Sequence, residues 1–191
     1  MKHATKLILA SGSPRRRELL TRAHIDFEVV QSGLEELREP HESAREYALR
    51  MACDKALAVS TRHPERSVLA ADTVVECGGV ILEKPIDARD ATRMLTTLSG
   101  QTHTVVTAFA IASNKEVIAS EAVTSRVTFR TLTPHEIASY IATGEPFDKA
   151  GAYGIQGIGG GFITYVEGSR DNVMGLPTDE VIAALRRHGI I

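Results

Sequence analysis

Apolar positions along the chain follow two rhythms, and each change of rhythm marks an element. Leu7–Ala10 is a short apolar run ending in small residues, the pattern of a buried strand. Ser13-Pro14 supplies an N-cap and an N1 proline, which predicts a helix to about Ala23. Phe27–Val30 reads as a second strand. Ser43-x-x-Glu46 is a capping box; Ala44, Ala48, Met51, Ala52, Ala56 and Val59 then recur at helical spacing to about Ser60. Ser67–Glu76 is strand-like, Gly78-Gly79 signals a hairpin, and Val80–Leu82 is its return strand. Asp87 and Asp90 open a helix carrying Ala91, Met94, Leu95 and Leu98, which Gly100 stops. Thr102–Ala112 and Val117–Phe129 predict two long strands joined around Asn114, the second alternating at Val117, Ala119, Val123, Val127 and Phe129. Thr133-Pro134-x-Glu136 joins N-cap, N1 proline and capping box, and Gly144 ends that helix. From Gly144 to Gly175 the chain is glycine-rich and reads as loops around a strand at Phe162–Val166; Thr178–His188 is a last helix. Helices and strands interleave but hairpins intervene, so the expectation is an α/β fold with a mixed rather than purely parallel sheet.

Composition narrows the partners. The 191 residues suffice for a single domain over 1–191, and 43% hydrophobic with 24% charged residues is a globular balance. A formal net charge of -2 offers no large basic surface, so nucleic acid is not an expected partner. Cys53 and Cys77 show neither metal-ligand spacing nor a disulfide framework, which fits a reducing compartment. Lys2 and Lys6 precede an apolar run too short for a signal peptide, and no stretch approaches the ~20 apolar residues of a membrane span. The chain therefore reads as cytoplasmic, with no membrane partner.

Several polar residues stand where their surroundings need an explanation. Ser11-Gly12-Ser13-Pro14-Arg15-Arg16-Arg17 joins a buried strand to a helix N-terminus, where free amides and the macrodipole attract anions. Arginines in that first turn oppose the dipole unless an anion compensates, so a phosphate cradle is one reading; a solvated basic turn capped by Ser13 is the other. Lys55 lies within the apolar stripe of the Ser43–Ser60 helix, either paired with an acid or snorkelling at its edge. Asp72, between Val68-Leu69-Ala70-Ala71 and Val74-Val75, must be paired, metal-bound, protonated or placed in a bulge. Such a carboxylate suits Mg²⁺ or general-base work. Glu35, next to Glu36, is a loop acid that could add a metal ligand; Lys84 precedes Pro85 after the hairpin as an ordinary surface lysine. Gly144–Gly161 could wrap a flat ligand, with Gln156 offering donor and acceptor to a base edge, or could be an empty flexible loop. A Walker P-loop, a dinucleotide G-x-G-x-x-G in context and an H-E-x-x-H motif are all missing from the sequence.

Leu9–Leu20 (LASGSPRRRELL), Ala70–Val75 (AADTVV), Glu83–Pro85 (EKP), Leu98–Ala108 (LSGQTHTVVTA), Gly144–Gly157 (GEPFDKAGAYGIQG) and Gly175–Pro177 (GLP) together resemble the Maf nucleotide pyrophosphatases, in order over nearly the whole chain. The resemblance implies a bent mixed sheet flanked by helices, with two lobes and a central cleft like that of inosine triphosphate pyrophosphatase. It implies cleavage between the α- and β-phosphates of a nucleoside triphosphate, a divalent cation (Mg²⁺ or Mn²⁺), a homodimer and a link to septum inhibition. Carried over by position, the polar site falls on Ser11, Ser13, Arg15, Arg16, Glu35, Lys55, Asp72 and Lys84. Asp72 takes the proton-acceptor role, and Asp72 and Glu35 are the expected metal ligands. Arg15, Thr73 and Gln156 resemble the dTTP/UTP branch, which implies dTTP, UTP and modified pyrimidine analogues as substrates; a sister branch acts on 7-methyl-GTP. Two other classes stay open: a nucleotidyltransferase, because Leu9-Ala10-x-Gly12-x-x-x-Arg16 also resembles that class's triphosphate loop, and a non-catalytic nucleotide-binding regulator of division.

Overall fold

The computed structural model describes residues 7–191; Lys2 and Lys6 lie outside the described residues. Among the described residues, seven strands and six α-helices follow in the order β1 (Leu7–Leu9), α1 (Pro14–Arg22), β2 (Phe27–Val29), α2 (Ala44–Arg62), β3 (Val68–Cys77), β4 (Val80–Leu82), α3 (Ala88–Leu98), β5 (Thr102–Ser113), β6 (Glu116–Phe129), α4 (Pro134–Ala142), β7 (Ile163–Glu167), α5 (Arg170–Met174) and α6 (Thr178–Arg187). The capping signals of α2, α3 and α4 act as the sequence predicts. Ser43 and Glu46 form a reciprocal box at α2, and Thr133 and Glu136 another at α4. At α3 the Asp87 carboxylate accepts the Asp90 amide at 2.7 Å. Gly78 and Gly79 both take positive φ, as the two-residue turn between β3 and β4 requires.

The strands form one open mixed sheet in the order β2-β1-β3-β5-β6-β7, with β4 paired to β3. β1 is parallel to β2 and β3, whereas β3–β4 and β6–β7 are antiparallel. The chain divides into two compact units: the described part of Met1–Asp72 with Thr107–Val123 and Gly175–Ile191, and Thr73–Val106 with Thr124–Met174. In the first, β1 is followed by α1 and β2 by α2, and α2 buries Tyr47, Ala48, Met51, Ala52, Ala56 and Val59. Among the described residues no helix is long and apolar enough to cross a membrane.

The second unit departs from expectation in the glycine-rich stretch. Three short 3-10 turns, Glu145–Asp148, Ala150–Ala152 and Ile158–Phe162, and helix α5 stand where loops are predicted. Local propensity misses them because their amides and carbonyls are fixed by contacts distant in sequence, such as Gly151 N–H to the Glu83 carbonyl at 3.1 Å.

The core of this unit packs α3 and α4 with the inward residues of β3, β5 and β6 and a set of edge-to-face aromatic rings. His103, 2% exposed, sits among them: its ring meets Phe129 and Tyr153 edge-on and its Nε2 lies 2.7 Å from the Tyr153 hydroxyl. The other ring nitrogen, Nδ1, is buried with no hydrogen-bond partner. Burial pushes the His103 pKa down to about 4 from 6.5. A lowered folded-state pKa gives stability that is full above the unfolded pKa and is lost as pH falls toward the folded one. Urea unfolding should therefore show a His103-dependent loss of about 3 kcal/mol between pH 6.5 and 4, seen as a steeper acid slope in wild type than in His103→Gln. Identical slopes for the two proteins would refute this origin.

Candidate active site

β1 ends at Leu9, and Ala10 N–H still donates to the Leu69 carbonyl of β3 at 2.8 Å, so the chain leaves the sheet at the buried Ser11. Ser13 has the extended backbone of an N-cap, but its side chain makes no capping hydrogen bond. Its amide instead donates to Ser11 Oγ at 3.2 Å. The first turn of α1 carries no acid. Arg16 turns back: its Nε donates to the Gly175 carbonyl at 2.8 Å and its Nη1 to Ser11 Oγ at 3.1 Å. Burial lowers its pKa; the charges of Asp72 and Glu36 oppose that shift and Arg15 adds to it.

Those two carboxylates meet at Lys55. α2 carries Lys55 on its apolar face, where it is 5% exposed. Its ammonium donates to Asp72 Oδ1 at 2.6 Å and to Glu36 Oε1 at 2.5 Å. Asp72, 7% exposed, ends the first segment of the first unit, within the largely apolar strand β3. A buried ammonium needs such partners, because desolvation costs several kcal/mol that only close, hydrogen-bonded counter-charges offset. Of the readings open for Lys55 and Asp72, the paired one holds.

The structure brings Ser11, Arg16, Lys55 and Asp72 together as the sequence suggests, but the loop acid that joins them is Glu36, not Glu35. Glu35 instead lines a separate cavity of about 530 Å³ with Leu34, Leu37, Arg38 and Met51. Neighbouring residues of an irregular segment point different ways, so a Glu-Glu pair in sequence does not say which one turns inward. Glu36 has no stronger local signal than its neighbour, and Gly175, whose carbonyl holds Arg16, is visible only as part of the GLP motif. Thr73, Lys84 and Gln156 belong to the second unit: Thr73 is half-buried on β3, Lys84 is exposed after β4, and Gln156 is exposed in the glycine-rich loop.

Residues 6–188 match the family described as Maf-like protein. The chain belongs to this family. Among its Maf-like relatives, the dTTP/UTP pyrophosphatase of Shigella dysenteriae serotype 1 is 52% identical over 182 residues, which span 95% of this chain and 92% of the relative. That of Escherichia coli strain K12 is 51% identical over the same shares. The HAM1 protein of Coxiella burnetii is a structural neighbour at a TM-score of 0.54 and 13% identity, covering 96% of this chain and 99% of the other; this likeness concerns the fold alone.

Among the described residues no group of three or more His, Cys, Asp or Glu could enclose a metal ion. Asp72 and Glu36 supply hard carboxylate oxygens from two positions joined by one ammonium. That set fits a magnesium-like ion that arrives with phosphate oxygens and water, not a cation caged by protein alone.

Removing the cation should cost more than removing the pair. Lys55→Met should lower unfolding free energy by about 3 kcal/mol or more in urea titrations, while Lys55→Met with Asp72→Leu should recover a large part of that loss. Simply additive losses would show that the two groups do not stabilise one another.

Proposed function

We propose that the protein hydrolyses dTTP, UTP and modified pyrimidine analogues to the nucleoside monophosphate and pyrophosphate. The observation that carries this reading is the cluster of Ser11, Arg16, Glu36, Lys55 and Asp72 beside the arginine-bearing start of α1. The names of the Shigella and Escherichia relatives support the same activity.

In this reading the phosphates approach the α1 N-terminus, where amides, Ser11, Ser13 and Arg15 attract negative charge. Lys55 and Arg16 already face carboxylates, so a triphosphate shares cations that are fixed in place before it arrives. Lys84 adds a further cation. Asp72 holds Lys55 through Oδ1, and its other oxygen accepts the proton of the attacking water. The new bond forms between that water oxygen and the α-phosphorus; the bond from the α-phosphorus to the bridging oxygen breaks, and pyrophosphate leaves with the electron pair. Asp72, with Glu36 in the position expected of Glu35, would hold Mg²⁺ or Mn²⁺, which when bound neutralises phosphate charge. Thr73 and Gln156 select the base, the Gln156 carboxamide offering both donor and acceptor to a pyrimidine edge. The reading carries with it a cytoplasmic homodimer with no nucleic-acid or membrane partner.

A panel of nucleoside triphosphates with Mg²⁺ and pyrophosphate detection tests this. dTTP and UTP should lead the panel, and Asp72→Asn should lower kcat by about 10²-fold or more while the circular dichroism spectrum is kept. Near-normal turnover in Asp72→Asn would sink the general-base assignment, and silence across the panel would sink the activity. Glu36→Gln and Glu35→Gln separate the adjacent acids: kcat/KM should fall about tenfold or more in the first and stay within about twofold in the second. The reverse order would return the role to Glu35.

A further inference from the structure

One carboxylate fastens two amides of the glycine-rich segment after α4. Glu145 Oε2 accepts the Ile158 amide at 3.0 Å, and Oε1 accepts the Gly159 amide at 3.1 Å and the Tyr140 hydroxyl at 3.0 Å. The backbone carbonyl of Glu145 accepts from Lys149 Nζ at 2.5 Å. Tyr140 is 2% exposed, and its ring packs edge-on against Phe162 at 5.0 Å, so the hydroxyl reaches the carboxylate from a fixed core position. Burial alone would raise the Glu145 pKa, but the amides of Gly159 and Ile158, then Tyr140 and Lys149, hold it below the ordinary carboxylate value.

The glycines fit this carboxylate closely. A Cβ at Gly157, whose φ is +77°, would stand 2.8 Å from Glu145 Oε2, and a Cβ at Gly159 would stand 2.7 Å from the Tyr140 hydroxyl oxygen. Both contacts are too short for real carbon atoms. The close approach the sequence reserves for a ligand is therefore occupied, at these two positions, by the protein's own anion and phenol.

Gln156 is exposed two residues before the first clamped amide. We infer that Glu145, backed by Tyr140, is a positioning residue for nucleotide selectivity: it fixes the backbone that follows Gln156 so that the Gln156 carboxamide is presented in one orientation to the pyrimidine edge. The inference rests on the base-reading role proposed above for Gln156. Glu145 touches no reacting atom, so loosening it acts on recognition of the base and leaves the chemical step in place.

The test uses full-length Glu145→Gln, which keeps shape but replaces one acceptor oxygen with a donor, and the milder Tyr140→Phe. Amide exchange at Ile158 and Gly159 is read by nuclear magnetic resonance, together with kcat and KM for dTTP and GTP and the affinity for a non-hydrolysable dTTP analogue. In Glu145→Gln both amides should exchange faster, KM for dTTP and the analogue's Kd should rise about tenfold, kcat should stay within about twofold, and the preference for dTTP over GTP should shrink about tenfold. Tyr140→Phe should move every readout the same way by less, and decides the matter if Glu145→Gln does not fold. Unchanged exchange would overturn the clamp, and faster exchange with unchanged KM, affinity and preference would overturn its link to selectivity. A parallel Gln156→Glu variant with an unaltered substrate profile would remove Gln156 as base reader and overturn the link to selectivity; faster exchange in Glu145→Gln would then establish the clamp alone.

Discussion

Once α2 turns its apolar face inward, the Lys55 ammonium loses its water, and two carboxylates have to take that water's place. This constraint ties three separate pieces of chain together. Asp72 must fall at one point along β3, the segment before α2 must turn Glu36 inward, and α2 must keep its register so that Lys55 meets both at 2.6 and 2.5 Å. A shift of α2 against β3 would part Lys55 from Asp72, both buried, and a buried charge left without its partner costs several kcal/mol. Arg16 extends the set, since the same two carboxylates act on its guanidinium. A polyanion approaching these groups competes with Asp72 and Glu36 for cations whose positions the fold has already fixed. Little reorganisation is then needed when it binds, and electrostatic stabilisation of a phosphate reaction is strongest under that condition.

The start of α1 makes sense in the same terms. At α2 and α4 the cap hydroxyl folds back on its own helix and an acid stands in the first turn, so those ends are satisfied from within. At α1 neither holds, and arginines stand there instead. Arg16 spends two of its donors on the Gly175 carbonyl and Ser11 Oγ, which makes it a strut as well as a charge.

The sequence makes legible whatever is set by local chemistry or by a residue out of place. Ser43-x-x-Glu46 and Thr133-Pro134-x-Glu136 define helix starts because a cap is a contact within four residues. Lys55 and Asp72 stand out because a charge inside an apolar pattern has to be answered by a partner. What that partner is does not follow. The choice of Glu36 over Glu35 depends on the path of an irregular segment, and no local rule distinguishes two adjacent acids. His103 is hidden for the opposite reason: within Thr102–Ala112 its position takes an inward place in the strand, and a neutral imidazole satisfied through one nitrogen by Tyr153 leaves no trace in the pattern. The turns after Gly144 escape because the contacts that shape them come from Tyr140, Glu83 and Glu145.

Glu145 obeys the same rule as Lys55 with the sign reversed. One is a cation held by carboxylates on an apolar helix face; the other is an anion held by two amides and a phenol at the base of a glycine-rich turn. In each unit a charged group recruits specific partners, and those partners help to fix the backbone around them. The difference lies in what the fixed groups are free to do. Around Lys55 the partners are themselves charged, so the device that orders the chain is also the one to which the proposed function gives phosphate chemistry. The hydrogen-bond partners of the Glu145 carboxylate itself are amides and a phenol, which can order a loop but have no charge to offer a phosphate. A carboxylate so thoroughly occupied serves recognition by holding a neighbouring side chain still, and its effect belongs in the binding of the base, not in the breaking of the phosphate bond.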